Sequence, residues 1–178
     1  KKWVDHEWFL DASTFYIFDK MGYLTLTIFY VLIVLIIIWI LNKLIFKYFA
    51  RSDQVFVWIY LIEILGLYGM SAHLGVRLQE LGLLFLVLTL YILKRLATEK
   101  KITISLYLFP LFYFWSLMHA SFLMGIFVAG LWGLFQIFKK IIFYLGKIQK
   151  RTNEVFSAKQ LLTLLLLFLM SLFSVLAI

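Results

Sequence analysis

Cysteine is missing from this chain. Disulfides and thiolate-held metals are therefore excluded. Proline occurs once, at Pro110. Only there is a backbone hydrogen bond lost by composition, and a kink is expected at that point. Acidic residues number 9 against 17 Lys and Arg. No Gly-rich phosphate loop, Ser/His/Asp order or EF-hand pattern is found. No stretch reads as a cleavable signal peptide or a targeting tail. The chain begins at Lys1 and ends at Ile178 inside an apolar run. It is therefore expected to be a segment of a longer protein.

What is abundant is apolar surface. The chain is 65% hydrophobic and 20% aromatic over 178 residues, whereas soluble domains are about half apolar. One packed core cannot absorb the excess, so lipid must take up the rest. The expected class is an all-α, polytopic integral membrane protein. The net charge of +8 does not require nucleic acid, because membrane proteins concentrate Lys and Arg in cytoplasmic loops.

A span needs about 20 apolar residues. Tyr23 to Phe46 is the first, and Val55 to Met70 the second, interrupted by Glu63. Leu81 to Leu93, completed by flanking residues, is the third. Ile102 to Met118 is the fourth, His119 to Phe138 the fifth and Gln160 to Ile178 the sixth. Ile141 to Gly146 is either an extension of the fifth helix or an interfacial piece. Trp8 to Phe18 is too short and polar to span. As a helix it places Trp8, Phe9, Ala12, Phe15 and Tyr16 on one face and Glu7, Asp11 and Thr14 on another. That is the pattern of a helix lying in the interface. Asp19-Lys20-Met21-Gly22 ends it. Two regions result, an outer-face segment over 1–22 and a six-span helical domain over 23–178.

The loops alternate in charge. Thirteen basic residues fall in the loops around Lys43–Arg51, Lys94–Lys101 and Lys139–Lys159. Only Lys1, Lys2, Lys20 and Arg77 fall in the others. The positive-inside rule makes the first set cytoplasmic and the N-terminal segment external. Asp5, His6, Glu7, His73, Arg77, Glu80 and His119 are then all outside.

Each polar group has a functional and a structural reading. Asp5-His6-Glu7 offers a base, an acid or metal ligands; alternatively it is a solvated rim anchored by Trp3 and Trp8. It lacks the second His of the helical zinc signature. His73, Arg77 and Glu80 share one helical stripe. Arg77 suits a phosphate through its planar fork, or it pairs locally with Glu80. His119 is a ligand or a hydrogen-bonded turn residue. Glu63, with Tyr60 and Gly66 on its face, is an intramembrane carboxyl and so a functional candidate by default. A hydrogen-bonded Glu facing the bundle is favoured, because the sequence offers no second intramembrane acid for a relay. Ser121, Gly125, Ala129 and Gly133 form a small-residue stripe that permits close helix approach.

Three pieces, in order, resemble bacterial membrane glycosyltransferases of the GT-C type, distantly akin to protein mannosyltransferases and oligosaccharyltransferases. Trp3 and His6-Glu7-Trp8-Phe9 match a Trp followed by His-Glu-Trp-Leu before a long span. Arg77-Leu78-Gln79 matches Arg-Pro-(His/Gln). Trp115, His119 and Phe122, with Gly125 following, match Trp-x-Asn-Leu-His-Gly-Gly-Phe. The sixth span resembles the run leading to an Asn-Pro-Tyr-Gly motif beyond Ile178. Leu78 replaces the Pro, Leu117 the Asn, and Ala120-Ser121 the Gly pair. The acidic motif of the first outer loop is expected upstream of Lys1. The resemblance implies sugar transfer from a polyprenyl-phosphate carrier at the outer face. It gives Arg77 the phosphate. Asp5 or Glu7 serves as base or metal ligand, and His6 and His119 position phosphate or sugar. His73, Gln79 and Trp115 complete the substrate-binding set. A divalent metal is the candidate cofactor, and partner membrane subunits are candidate partners. The rivals are a non-catalytic assembly or scaffold protein and a transporter using Glu63.

Overall fold

The computed structural model describes residues 8–48, 53–70, 79–99 and 101–144, together with Leu165 and Leu169. Among them the fold is all-α, with no strand. The helices are α1 (Trp8–Tyr48), α2 (Asp53–Met70), α3 (Gln79–Glu99), α4 (Leu108–Met118) and α5 (Phe122–Tyr144), with a 3-10 helix at Ile102–Tyr107 before α4. Three helices are long and apolar enough to cross a membrane: α1, α3 and α5. The apolar stretches 56–69 and 102–118 are shorter. The sixth expected span and Lys147 to Lys159 lie outside the described residues, apart from Leu165 and Leu169.

α1 is two helices joined at Gly22, whose φ of 79° and ψ of 172° are not helical. That backbone region is open essentially to glycine alone. Thr14 and Tyr30 lie eight residues to either side of it. In a straight helix they would be about 24 Å apart. Their hydroxyls are instead 3.5 Å apart, so the arm 8–21 folds back along the helix that follows. The expected short helix is thus present, as the first arm of a helical hairpin. Its aromatic residues Trp8, Phe15 and Tyr16 point away from the protein. Leu10 and Ile17 pack inward with Leu26, Tyr30 and Ile33.

After Gly22, Leu26, Tyr30, Ile33, Ile37, Ile40 and Leu44 are all buried. Their spacings of four and three residues put them on one stripe. The opposite face, including Leu24, Leu32, Leu35, Ile36 and Trp39, is equally apolar and exposed. A helix apolar on every side with one side uncovered fits a lipid-facing position.

α3 is the central post. It contacts α1, α4, α5 and the 3-10 helix. It continues helically through Lys94 and Arg95 to Glu99, six residues beyond the expected apolar run. A bidentate pair bridges that last turn, with Arg95 Nε to Glu99 Oε1 at 2.7 Å and Nη2 to Oε2 at 3.1 Å. α5 likewise extends to Tyr144, so the apolar piece from Ile141 continues that helix at least that far.

The kink expected at Pro110 is not found inside a long helix. Pro110 occupies the first turn of α4, where most amide N–H groups have no helical partner anyway. The backbone before it is 3-10 instead.

Contacts along the helices fix their directions. Ser121 approaches Gly82 at one end of the α3–α5 pair, and Trp132 packs on the Leu96 and Ile104 cluster at the other. α3 and α5 therefore run the same way. In the second arm of α1, Tyr30 lies within electrostatic reach of Glu80, and Lys47 within reach of Glu99. That arm is parallel to α3. Lys47, Lys94, Lys101, Lys139 and Lys140 consequently gather at one end of the bundle.

Candidate functional site

The end of the bundle opposite the lysines is built from three pieces: the folded-back arm of α1, the first turn of α3, and the turn between α4 and α5. Leu10, Leu81 and Met118, one from each, belong to a single apolar cluster. Polar groups sit on and in this cluster. Glu80 is 5% exposed. Tyr30 is 2% exposed, and its hydroxyl meets Thr14 at the outer limit of hydrogen bonding. The carboxyls of Glu80 and Asp11 both bear on it electrostatically. A buried carboxyl, a phenol and a hydroxyl are thereby brought to one place.

The turn at 119–121 is organised by side chains as much as by backbone. α4 ends at Met118, and His119 is extended, with φ −162° and ψ 139°. Its Nδ1 accepts the Ser121 N–H at 2.9 Å. Nδ1 is therefore the unprotonated nitrogen of the neutral ring, and Nε2 carries the proton. His119 is half-buried, and its structural part is to satisfy an amide at the start of α5.

Trp115 is 1% exposed. Its indole lies between Phe85 and Phe112, with ring centroids at 5.7 and 6.1 Å and near-parallel planes. Its Nε1–H donates to Ser121 Oγ at 3.0 Å. Gly82 and Gly125 leave the room it needs. A Cβ at Gly82 would strike Ser121 Oγ, and one at Gly125 would strike the indole and come within 2.8 Å of Phe112 Cε1. The small-residue stripe of α5 is thus used at Ser121, Gly125 and the buried Ala129. At Gly133 the space is open, and a Cβ there would meet nothing within 4 Å. In this arrangement Trp115 is a packing residue.

Of the residues assigned a catalytic or substrate-binding role from the sequence, Gln79, Trp115 and His119 are described. All three lie at this end, with Gln79 exposed beside Glu80. Asp5, His6, Glu7, His73 and Arg77 lie outside the described residues, and so does their distance from His119. Among the described residues no three His, Asp or Glu side chains converge as metal ligands. Tyr30 was not singled out from sequence. The available signal was a lone hydroxyl on the inward stripe of an otherwise aliphatic run.

A second polar place lies deeper. Glu63 faces Asn42, whose amide donates to Glu63 Oε2 at 3.3 Å and to the Ile38 carbonyl at 3.1 Å. This is the hydrogen-bonded carboxyl expected from sequence. The pairing is incomplete, however. Asn42 Oδ1 and Glu63 Oε1 are buried without a hydrogen-bond partner among the described residues. Each such orphan costs about 1–3 kcal/mol. Glu63, Gly66 and Leu67 of α2 line a cavity of about 280 Å³ against α1 and α3, and Gln79 and Glu80 line it too. The intramembrane acid thus shares its cavity with a second carboxyl.

No known protein family, curated protein or solved structure matches this chain.

Proposed function

We propose that this chain is the membrane domain of a GT-C-like protein that transfers a sugar from a polyprenyl-phosphate carrier at the outer face. The observation that supports the reading is that Glu80, Tyr30, Asp11, Gln79 and His119 all lie at the bundle end away from the lysines. Six spans, with the folded-back N-terminal arm toward the outer end of the bundle, complete the proposed topology. The lysine end is then cytoplasmic. Lys43 Nζ over the Trp39 ring, at 4.9 Å, and Lys139 Nζ over Phe135, at 5.7 Å, suit cations at an aromatic interface there.

In the proposed reaction the bond between the sugar's anomeric carbon and the carrier phosphate oxygen breaks. A bond from that carbon to an acceptor hydroxyl oxygen forms. The acceptor proton passes to a carboxylate, with Asp5 or Glu7 assigned that role. Arg77 neutralises the departing phosphate. His6, His119, His73 and Gln79 orient sugar or phosphate. Glu80 is buried beside Gln79 at the start of α3.

The test is transfer by the full-length protein from labelled polyprenyl-phosphate sugars. Arg77→Ala and Glu80→Gln are run beside wild type, with folded protein quantified. Transfer lost in both, at undiminished folded protein, supports the reading. Transfer that survives both substitutions removes this site. An acceptor-independent role as an assembly scaffold would leave cells complemented by both variants.

A further inference from the structure

The lysine end of the bundle takes no part in the proposed sugar transfer, yet it holds a surplus of cations. The acids placed there among the described residues are Glu99 and Asp53. Glu99 is tied into a bidentate pair by Arg95, and Asp53 opens α2 beside the end of α1. Lys43, near the end of α1, joins the lysines already gathered there.

Lys43 and Lys139 stand on outward faces. Lys43 turns back one helical turn to lay its Nζ over the Trp39 ring at 4.9 Å, and Lys139 does the same over Phe135 at 5.7 Å. Helix side chains lean toward the N-terminus, which in both helices is toward the middle of the bundle. The two rings are 61% and 56% exposed, so each ammonium lies on the outer surface. Lys43 is itself exposed and makes no ion pair or hydrogen bond with another described residue. An ammonium only donates, so what lies beside it must accept.

Behind each lysine the surface is apolar. On α1, Trp39, Ile36, Leu35 and Leu32 are exposed in a row under Lys43. On α5, Phe135, Leu131 and Phe127 are exposed in a row under Lys139. Their spacings of three and four residues put each row on one face. Leu32 to Lys43 is about 16 Å of helix, and Phe127 to Lys139 about 18 Å. Half of a hydrocarbon core is about 15 Å. Each face is therefore one leaflet deep, apolar along its length and closed at one end by a cation. Both helices run parallel to α3, so both cations close the same leaflet.

We propose that these two faces bind anionic phospholipids, with phosphate oxygens accepting from the Lys43 and Lys139 ammonium groups and an acyl chain lying along each apolar row. The surplus positive charge selects a lipid of net negative charge over a zwitterionic one, whose own cation competes. Neither face touches the sugar-transfer site, and binding does not require that activity.

The test uses the full chain in mixed micelles, with labelled phosphatidylglycerol and phosphatidylcholine of the same acyl chains as probes. Glycerophosphoglycerol is the same anionic headgroup without chains. Phosphatidylglycerol is expected to bind about fivefold or more tighter than phosphatidylcholine, and the chainless headgroup not to compete. Loss of one lysine near an anionic surface is worth ~1 kcal/mol, about fivefold. Lys43→Gln combined with Lys139→Gln should therefore weaken phosphatidylglycerol by about tenfold or more, with phosphatidylcholine unchanged. Lys20→Gln, at the other end and exposed beside Asp19, removes the same charge and should change neither lipid. The proposal is overturned if the two lipids bind equally, or if the double substitution leaves the preference intact. It is equally overturned if Lys20→Gln weakens phosphatidylglycerol as much, or if the chainless headgroup displaces the lipid.

Discussion

The indole of Trp115 makes Gly125 the most sensitive glycine in the bundle. Substitution by alanine adds one methyl group. That methyl would strike the Trp115 ring and lie 2.8 Å from Phe112 Cε1. The ring has little freedom to withdraw. Phe85 and Phe112 stack on it, and its Nε1–H is tied to Ser121 at 3.0 Å. Overpacking of this kind costs about 1–3 kcal/mol, and loss of the interhelical hydrogen bond adds about 0.6 kcal/mol. The better helix propensity of alanine returns about 0.5–1 kcal/mol. The net expectation for Gly125→Ala is a loss of about 1–3 kcal/mol. Gly133→Ala is the internal control, since nothing stands near its Cβ position. It should gain about 0.5–1 kcal/mol. The two variants are compared by reversible unfolding in mixed micelles. In a Trp115→Phe background, which lacks the larger ring and its N–H, Gly125→Ala should cost less. Stabilities of Gly125→Ala and Gly133→Ala within about 0.5 kcal/mol of each other would refute the idea that the indole wedges against α5.

Two further outcomes follow from the fold. Gly22→Ala should strain the hairpin by about 1–3 kcal/mol. In this cysteine-free chain, cysteines at Thr14 and Tyr30 should be joined by a short bismaleimide, and Gly22→Ala should lower the yield; an unchanged yield would remove the need for glycine there. Single cysteines at Lys101 and Lys140 should label from the same side of the membrane with an impermeant maleimide, and one at Ala120 from the other. Labelling of Lys101 and Lys140 from opposite sides would refute the parallel α3–α5 arrangement.

The helices were legible because apolar length and backbone self-satisfaction leave few alternatives in lipid. Tyr23 to Phe46 and Val55 to Met70 correspond closely to the second arm of α1 and to α2. The ends were less legible. Lys94, Arg95 and Glu99 mark where the chain leaves the apolar zone, but charge does not stop a helix, and the Arg95–Glu99 pair fits its last turn. Gly22 was readable as a break, whereas the return of Thr14 to Tyr30 is a tertiary contact that no local pattern encodes. The same holds at the site. His119 could be placed in a turn from spacing alone. That its Nδ1 is used by the Ser121 amide, and that Trp115 is enclosed by glycines from two other helices, depends on neighbours distant in sequence. Glu63 was visible as an intramembrane acid. Its partner Asn42 and the shared cavity with Glu80 required the helices to be assembled.

The centrality of α3 has a consequence for how the chain comes together during synthesis. The inward stripe of α1 is completed by Leu26 to Leu44, but its main partner is α3 rather than the adjacent α2. The last residue of α3 follows the last residue of α1 by 51 positions. At about 5–20 residues per second, α1 waits roughly 3–10 s for its partner to emerge. A soluble helix with such a stripe would be an aggregation hazard over that interval. In a bilayer the wait is harmless, because lipid tails solvate Leu and Ile as well as α3 does. Tyr30 is the exception on that stripe: its hydroxyl stays in hydrocarbon until a partner arrives. The fold-back at Gly22 gives it Thr14 as a partner from the same hairpin, so that this contact does not depend on α3.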